Sequence, residues 1–197
     1  SDRDPGAAAV ARLAGVLPAD IVVRRVSVAP AGFDARFSAI WRRYRYRLLD
    51  RRNLLDPLRR GDTALWPHAL DLAALNEASV RLVGLHDFAA FCRRREGATT
   101  MRTLLVYTWE RDPDGVLIAT VRADAFCHSM VRSLVGAVVP VGEGRRDPGW
   151  VEVLRSARER SSEVRVMPAH GLCLIEVAYP PDDQLAARAV ESRSLRA

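Results

Sequence analysis

Between Phe126 and Val141 the sequence holds one formal charge, Arg132, in an otherwise apolar run. On a helical wheel Phe126, Met130, Val131, Leu134, Val135 and Val138 cover a broad arc. The remaining strip holds His128, Ser129, Arg132, Ser133 and Gly136. A helix of this kind is largely buried, and a guanidinium buried without an anion is costly. Arg132 therefore either meets an anion or snorkels from the core edge to water. Gly136, one turn further on, removes a side chain beside Arg132 and leaves room for something to approach.

A second chemical pattern lies in Ile40–Leu49, IWRRYRYRLL. As a strand, it puts Arg42, Tyr44 and Tyr46 on one face and Arg43, Arg45 and Arg47 on the other. Arginine beside tyrosine suits RNA, with guanidinium for phosphate and aromatic faces for bases. A half-buried strand with tyrosines inward and arginines solvated gives the same pattern. His86-Asp87 has no serine or cysteine nucleophile in a recognisable arrangement, so it reads as a structural turn and not a hydrolase element. The Arg93–Arg95 run reads as a solvated loop or a phosphate contact.

The elements that must position these residues follow from periodicity and punctuation. Ile21–Ala29 is β-branched and reads as a strand, and Gly61–His68 as a loop. Asp71–Val83 reads as a helix with Asp71 as N-cap, an inward stripe of Leu72, Leu75, Ser79 and Leu82, and Gly84 as the stop. Thr103–Glu110 and Val116–Arg122 read as strands around the Asp112-Pro113-Asp114-Gly115 turn. A helix is expected from about Phe126 towards Pro140, and another opened by Asp147-Pro148. Met167–Leu172 reads as a turn into a final strand, Leu172–Tyr179. Hairpins followed by separate helices imply an α+β domain on a mostly antiparallel sheet with flanking helices.

Composition bounds the function. The 197 residues are 49% hydrophobic, enough for a proper core, and no run is long enough to span a bilayer. No signal-like N-terminal segment is visible, so a cytoplasmic location and no membrane partner are expected. A net charge of +6 favours a polyanionic partner. Every basic residue is arginine, a bias that a GC-rich coding background also produces. Cys92, Cys127 and Cys173 are widely spaced and odd in number; they read as free thiols. No phosphate-binding, dinucleotide-binding or metal-ligand motif occurs, so neither a nucleotide cofactor nor a catalytic metal is expected.

Several segments, taken in order, resemble the TruA-type tRNA pseudouridine synthases. They are Leu17-Pro18-Ala19-Asp20-Ile21, Phe33–Ala39 (FDARFSA), Arg42–Tyr46 (RRYRY), Gly84–Phe88 (GLHDF), Ala123–Arg132 (ADAFCHSMVR), His170-Gly171-Leu172 and Tyr179-Pro180. The resemblance runs from about Leu13 to Pro181 and implies a pseudouridine-synthase-like fold. It further implies isomerisation of uridine to pseudouridine in the tRNA anticodon stem-loop, without a cofactor, by a homodimer. In that scheme Tyr44 packs on the target base, Arg132 pairs with the catalytic aspartate and Leu172 walls the uracil pocket. Phe126, His128, Arg42 and Arg43 are the further substrate-binding candidates.

The family's catalytic aspartate sits in a G-R-T-D-A-G-V-H type motif upstream of the Leu17 region, and no such motif occurs here. Asp20, Asp34, Asp87 and Asp124 match other positions. The chain is therefore expected to be the C-terminal portion of such an enzyme and inactive alone. Its expected organisation is 1–12 as remnant or linker, 13–181 as the synthase C-terminal domain and 182–197 as a tail. The alternatives are a non-catalytic RNA-binding module and a dimerisation fragment of the same fold.

Overall fold

The computed structural model describes residues 5–51, 56–93, 99–157 and 159–194. Arg94 and Arg95 of the arginine run lie outside the described residues. The elements are α1 (Pro5–Val16), β1 (Trp41–Leu49), β2 (Ala64–Leu65), α2 (Leu72–Val80), β3 (Gly84–Asp87), β4 (Met101–Arg111), β5 (Leu117–Ala123), α3 (Met130–Gly142), α4 (Trp150–Ser156), β6 (Leu172–Ala178) and α5 (Leu185–Ser194).

The α+β expectation holds. The strands form one sheet in the order β2-β1-β5-β4-β3, and β6 also pairs with β1. Every pairing is antiparallel except the short parallel contact of β2 with Leu48 and Leu49. The alternation of β1 survives intact. Tyr46 and Leu48 enter the main core, while Arg45 stays exposed. That core joins β1, β4 and β5 to α2 and α3 through Leu75, Leu82, Leu104, Tyr107, Val121, Leu134 and Val138. No described helix is long and apolar enough to cross a membrane.

Local signals explain most boundaries. Asp71 accepts a hydrogen bond from the Ala74 N–H and starts α2. Asp112 accepts from the Val116 N–H, and Gly115 takes φ +83°, so the β4–β5 hairpin closes where the turn residues stand. Three expectations fail. Ile21–Ala29 is no strand: it has no paired neighbour among the described residues, and Val28 is 92% exposed. β-Branched residues favour a half-buried pleated surface, and without one the propensity has nothing to act on. His86 and Asp87 stand on β3, not in a turn, where Asp87 accepts from the Ala89 N–H and the Thr100 hydroxyl. Cys92 and Cys127 are not free thiols but are disulfide-bonded, 35 residues apart; only Cys173 is free.

Smaller differences have the same kind of cause. Two residues of the 61–68 loop find a parallel edge and become β2. The alanine-rich start, read without any element, is helical as α1, in keeping with alanine's propensity. Asp147 caps the turn that leads into α4 through the Gly149 N–H, and the helix itself begins at Trp150. α5 docks on the 32–38 turn. Leu185 and Ala189 are buried, the Ser38 hydroxyl donates to the Leu185 carbonyl, and Arg193 pairs with Asp34 at 2.8 Å.

One ion pair fastens the far end of the sheet. The Asp50 carboxylate is buried and accepts both guanidinium nitrogens of Arg111 at 2.8 and 2.9 Å, plus the Leu70 N–H. Burial alone pushes the Asp50 carboxyl up, but these hydrogen bonds and the Arg111 charge outweigh it and hold it below the usual value. Asp50→Asn strands a partly covered guanidinium and is expected to destabilise the fold by about 3 kcal/mol, read from denaturant midpoints. A depressed carboxyl contributes stability above its unfolded pKa and loses it as pH falls through the folded one. The wild-type advantage over Asp50→Asn should therefore be full near neutrality and disappear on acidification below about pH 4.

Candidate active site

α3 does not start at Phe126. Residues 126–129 form an entry loop, and Ser129, the N-cap, takes the left-handed φ of +67°. It is the sole non-glycine residue with positive φ among the described residues. Two backbone bonds shape this entry: Met130 N–H to the Cys127 carbonyl and Arg93 N–H to the His128 carbonyl, both 3.1 Å. His128 is exposed, with its Nδ1 2.9 Å from the Ser129 hydroxyl. Phe126 turns the other way, its ring edge-on to Tyr44 with centroids 5.0 Å apart and planes at 86°.

Tyr44 and Phe126 are both half-buried against the main core, as is Leu172. Tyr44 faces Leu174 across the β1–β6 ladder, and Tyr46 faces Leu172. Tyr44, Phe126 and Leu172 thus gather on one side of the sheet, next to the entry of α3. Burial raises the Tyr44 phenol above its ordinary pKa, partly offset by the charge of Arg42, so the hydroxyl stays protonated through the neutral range.

Arg132 lies in the first turn of α3. Its backbone carbonyl accepts from the Met167 N–H at 3.2 Å, and its charge reaches Tyr46. Its Nε is buried without a hydrogen-bond partner. Among the described residues no carboxylate forms an ion pair with it. Three of the four aspartates considered from the sequence are occupied elsewhere. Asp34 accepts from the Arg36 and Phe37 N–H groups, Asp87 caps β3, and Asp124 accepts from Thr103 and Ala125 N–H. Asp20 is exposed.

The segment 165–172 connects these groups. The Tyr46 hydroxyl donates to the Pro168 carbonyl at 2.9 Å, Met167 holds Arg132, and Gly171 lies on the Tyr46 ring. What approaches Gly136 is now visible. A Cβ built there would stand 1.7 Å from the Arg165 carbonyl oxygen. Tyr46, one of the two strand-face tyrosines of the sequence pattern, spends its hydroxyl on this segment, whereas Arg165 carries no sequence signal and joins the site only because a segment far along the chain packs here.

The two other arginine candidates are placed differently. Arg42 spends its guanidinium on the Asp124 carbonyl at 2.9 Å and the Arg36 carbonyl at 2.5 Å, tying two loops to β1. Arg43 points to the opposite face from Tyr44 and pairs with Glu176 at 2.5 Å.

A model of the tRNA pseudouridine synthase family matches residues 78–180, just over half the chain. The chain belongs to this family. Members of it with similar sequences include the tRNA pseudouridine synthase A of Leifsonia xyli, 56% identical over 177 residues, which is 90% of this chain and 62% of that protein. That of Streptomyces griseus is 56% identical over 94% of this chain and 66% of its own length. That of Cutibacterium acnes is 53% identical over 99% of this chain and 71% of its own. The chain thus spans about two thirds of the length of these relatives. The family match covers the Phe126 entry, Arg132, Gly136 and Leu172, whereas Tyr44 precedes it but falls within the C. acnes match, which takes in nearly the whole chain.

Proposed function

We propose that this tRNA pseudouridine synthase chain supplies the uracil-binding wall and the arginine of the catalytic ion pair, and that the catalytic carboxylate comes from outside the described residues. The observation that carries this reading is Arg132. Its Nε is buried and unpaired, and its charge reaches Tyr46, on the strand that contributes Tyr44 to a half-buried wall with Phe126 and Leu172. A guanidinium so placed is a ready counter-ion: it keeps an incoming carboxylate ionised at neutral pH.

The chemistry asks for such a wall. The C1′–N1 bond of uridine must break, the ring must turn, and a C1′–C5 bond must form, with a proton lost from C5 and one gained at N1. The base has to leave its stack first, and a ring such as Tyr44 gives it a surface to rest on. Arg42 acts as a positioning residue in this scheme, holding the 36 and 124 backbones to the strand that carries Tyr44. The exposed Arg45, on the far face, suits backbone phosphate and gives no sequence readout, whereas the Arg43 guanidinium on that face is already held by Glu176.

Release of tritium from C5-labelled uridine in tRNA tests the reading. The chain alone is expected to show no turnover above background while binding tRNA in a salt-sensitive way. Robust turnover by this chain that survives Asp2→Asn, Asp4→Asn and Glu96→Gln together would overturn the assignment of the carboxylate to a place outside the described residues. Absence of tRNA binding at low salt would count against the RNA-facing role altogether. Binding whose strength is unchanged by Tyr44→Ala, but falls on Arg45→Ala, would favour the non-catalytic RNA-binding alternative.

A further inference from the structure

The backbone brings Cys92 and Cys127 together before any sulfur chemistry is considered. Cys92 follows the short 3-10 turn Ala89–Phe91 and is 1% exposed. Cys127 is half-buried in the entry loop of α3, between Phe126, which backs Tyr44, and His128. Their Cα atoms are 5.7 Å apart, within the ordinary span of a disulfide. The bond from Arg93 N–H to the His128 carbonyl ties the two segments together without the sulfurs, and the bond from Met130 N–H to the Cys127 carbonyl shapes the turn that holds Cys127. Two thiols in this setting remain within reach of each other when reduced, so closing and opening the bond needs no rearrangement of the fold.

We propose that Cys92 and Cys127 form a reversible dithiol–disulfide site that accepts a low-molecular-weight disulfide as oxidant and, when closed, pins the entry of α3 to the 92–93 segment. The Cys127 thiolate, the more exposed of the two, attacks one sulfur of the small disulfide and expels a thiolate. The Cys92 thiolate then attacks the Cys127 sulfur of the mixed disulfide and expels the second thiolate. The two released thiolates take up the protons that the cysteines lost, so two protein thiols are oxidised and one small disulfide is reduced. A small dithiol reverses the sequence. The readout of the switch is the mobility of the turn that carries Ser129 and Arg132. It belongs to the chain itself and stands whether or not uridine is the substrate.

The test uses the full chain with Cys173→Ser, which removes the exposed free thiol and touches nothing in the site. After reduction and desalting, alkylation under denaturant followed by mass measurement is expected to add two labels. After incubation with glutathione disulfide it is expected to add none, with no glutathione retained. Hydrogen exchange at the Arg93, Met130 and Ser133 amides is expected to slow severalfold on oxidation, while the β4–β5 ladder is unchanged. Two labels after oxidant, or one retained glutathione, would overturn the site; equal exchange in the two forms would overturn the pinning. Cys127→Ser should abolish both oxidant effects at a partly exposed position, and Cys92→Ala should do so at the buried one.

Discussion

Gly136→Ala is expected to destabilise this chain by about 3 kcal/mol or more, although glycine to alanine inside a helix ordinarily gains up to about 1 kcal/mol. The reversal comes from one contact. The new Cβ would lie 1.7 Å from the Arg165 carbonyl oxygen and 2.8 Å from its carbon, both backbone atoms that cannot swing aside. Either α3 or the 165–167 segment must shift. If that segment moves, the Met167 bond to the Arg132 carbonyl and the Tyr46 bond to Pro168 loosen with it. Urea midpoints of wild type and variant decide the matter, and a midpoint equal to or above wild type would show that the crossing is not as close as described. A control at Gly15, where an added Cβ meets nothing within 4 Å, should be neutral or slightly stabilising.

Arg132→Met should separate stability from function. In this chain it removes a partly buried charge that has no carboxylate partner among the described residues and keeps an apolar stem of similar length. The urea midpoint is therefore expected to stay level or rise, by up to about 1 kcal/mol. In a family enzyme whose catalytic carboxylate faces the equivalent arginine, the same change deprives that carboxylate of its counter-ion. Isomerisation there should fall by about a hundredfold to a thousandfold, mainly in kcat, as when one preorganised electrostatic group is deleted. A clear loss of stability in this chain would mean that Arg132 already serves a structural partner, and the functional argument for its unpaired state would fail.

How much of this was legible in advance differs from one residue to the next. The period-two pattern of β1 sorted Tyr44 and Tyr46 from Arg43, Arg45 and Arg47, because a pleated strand leaves no other arrangement. Asp71 and the Asp112–Gly115 turn announced their elements, because capping and tight turns depend on a few neighbouring residues. The wheel drawn from Phe126 was four residues early, since nothing local shows that Ser129 takes a left-handed turn to let Phe126 meet Tyr44. Gly136 was noticed as a gap, but its occupant lies about thirty residues on and is fixed by packing alone. The pairing of Cys92 with Cys127 was equally hidden, as connectivity does not follow from spacing. Ile21–Ala29 misled for the opposite reason: propensity was present, and the neighbour it requires was not.

The position of β1 has a consequence for how the chain is made. One edge of this strand pairs with β5, and its other edge is shared between β2 at Leu48 and Leu49 and β6 along Trp41–Tyr46. The residues that complete that second edge follow β1 by roughly 120 positions. At synthesis rates of about 5–20 residues per second, the edge stays open for roughly 6–25 s on the ribosome. During that interval the unpaired backbone groups along Trp41–Tyr46 are available to any passing strand. The same long-range closure brings Leu172 beside Tyr46, so the half-buried wall of Tyr44, Phe126 and Leu172 is completed among the last events of folding.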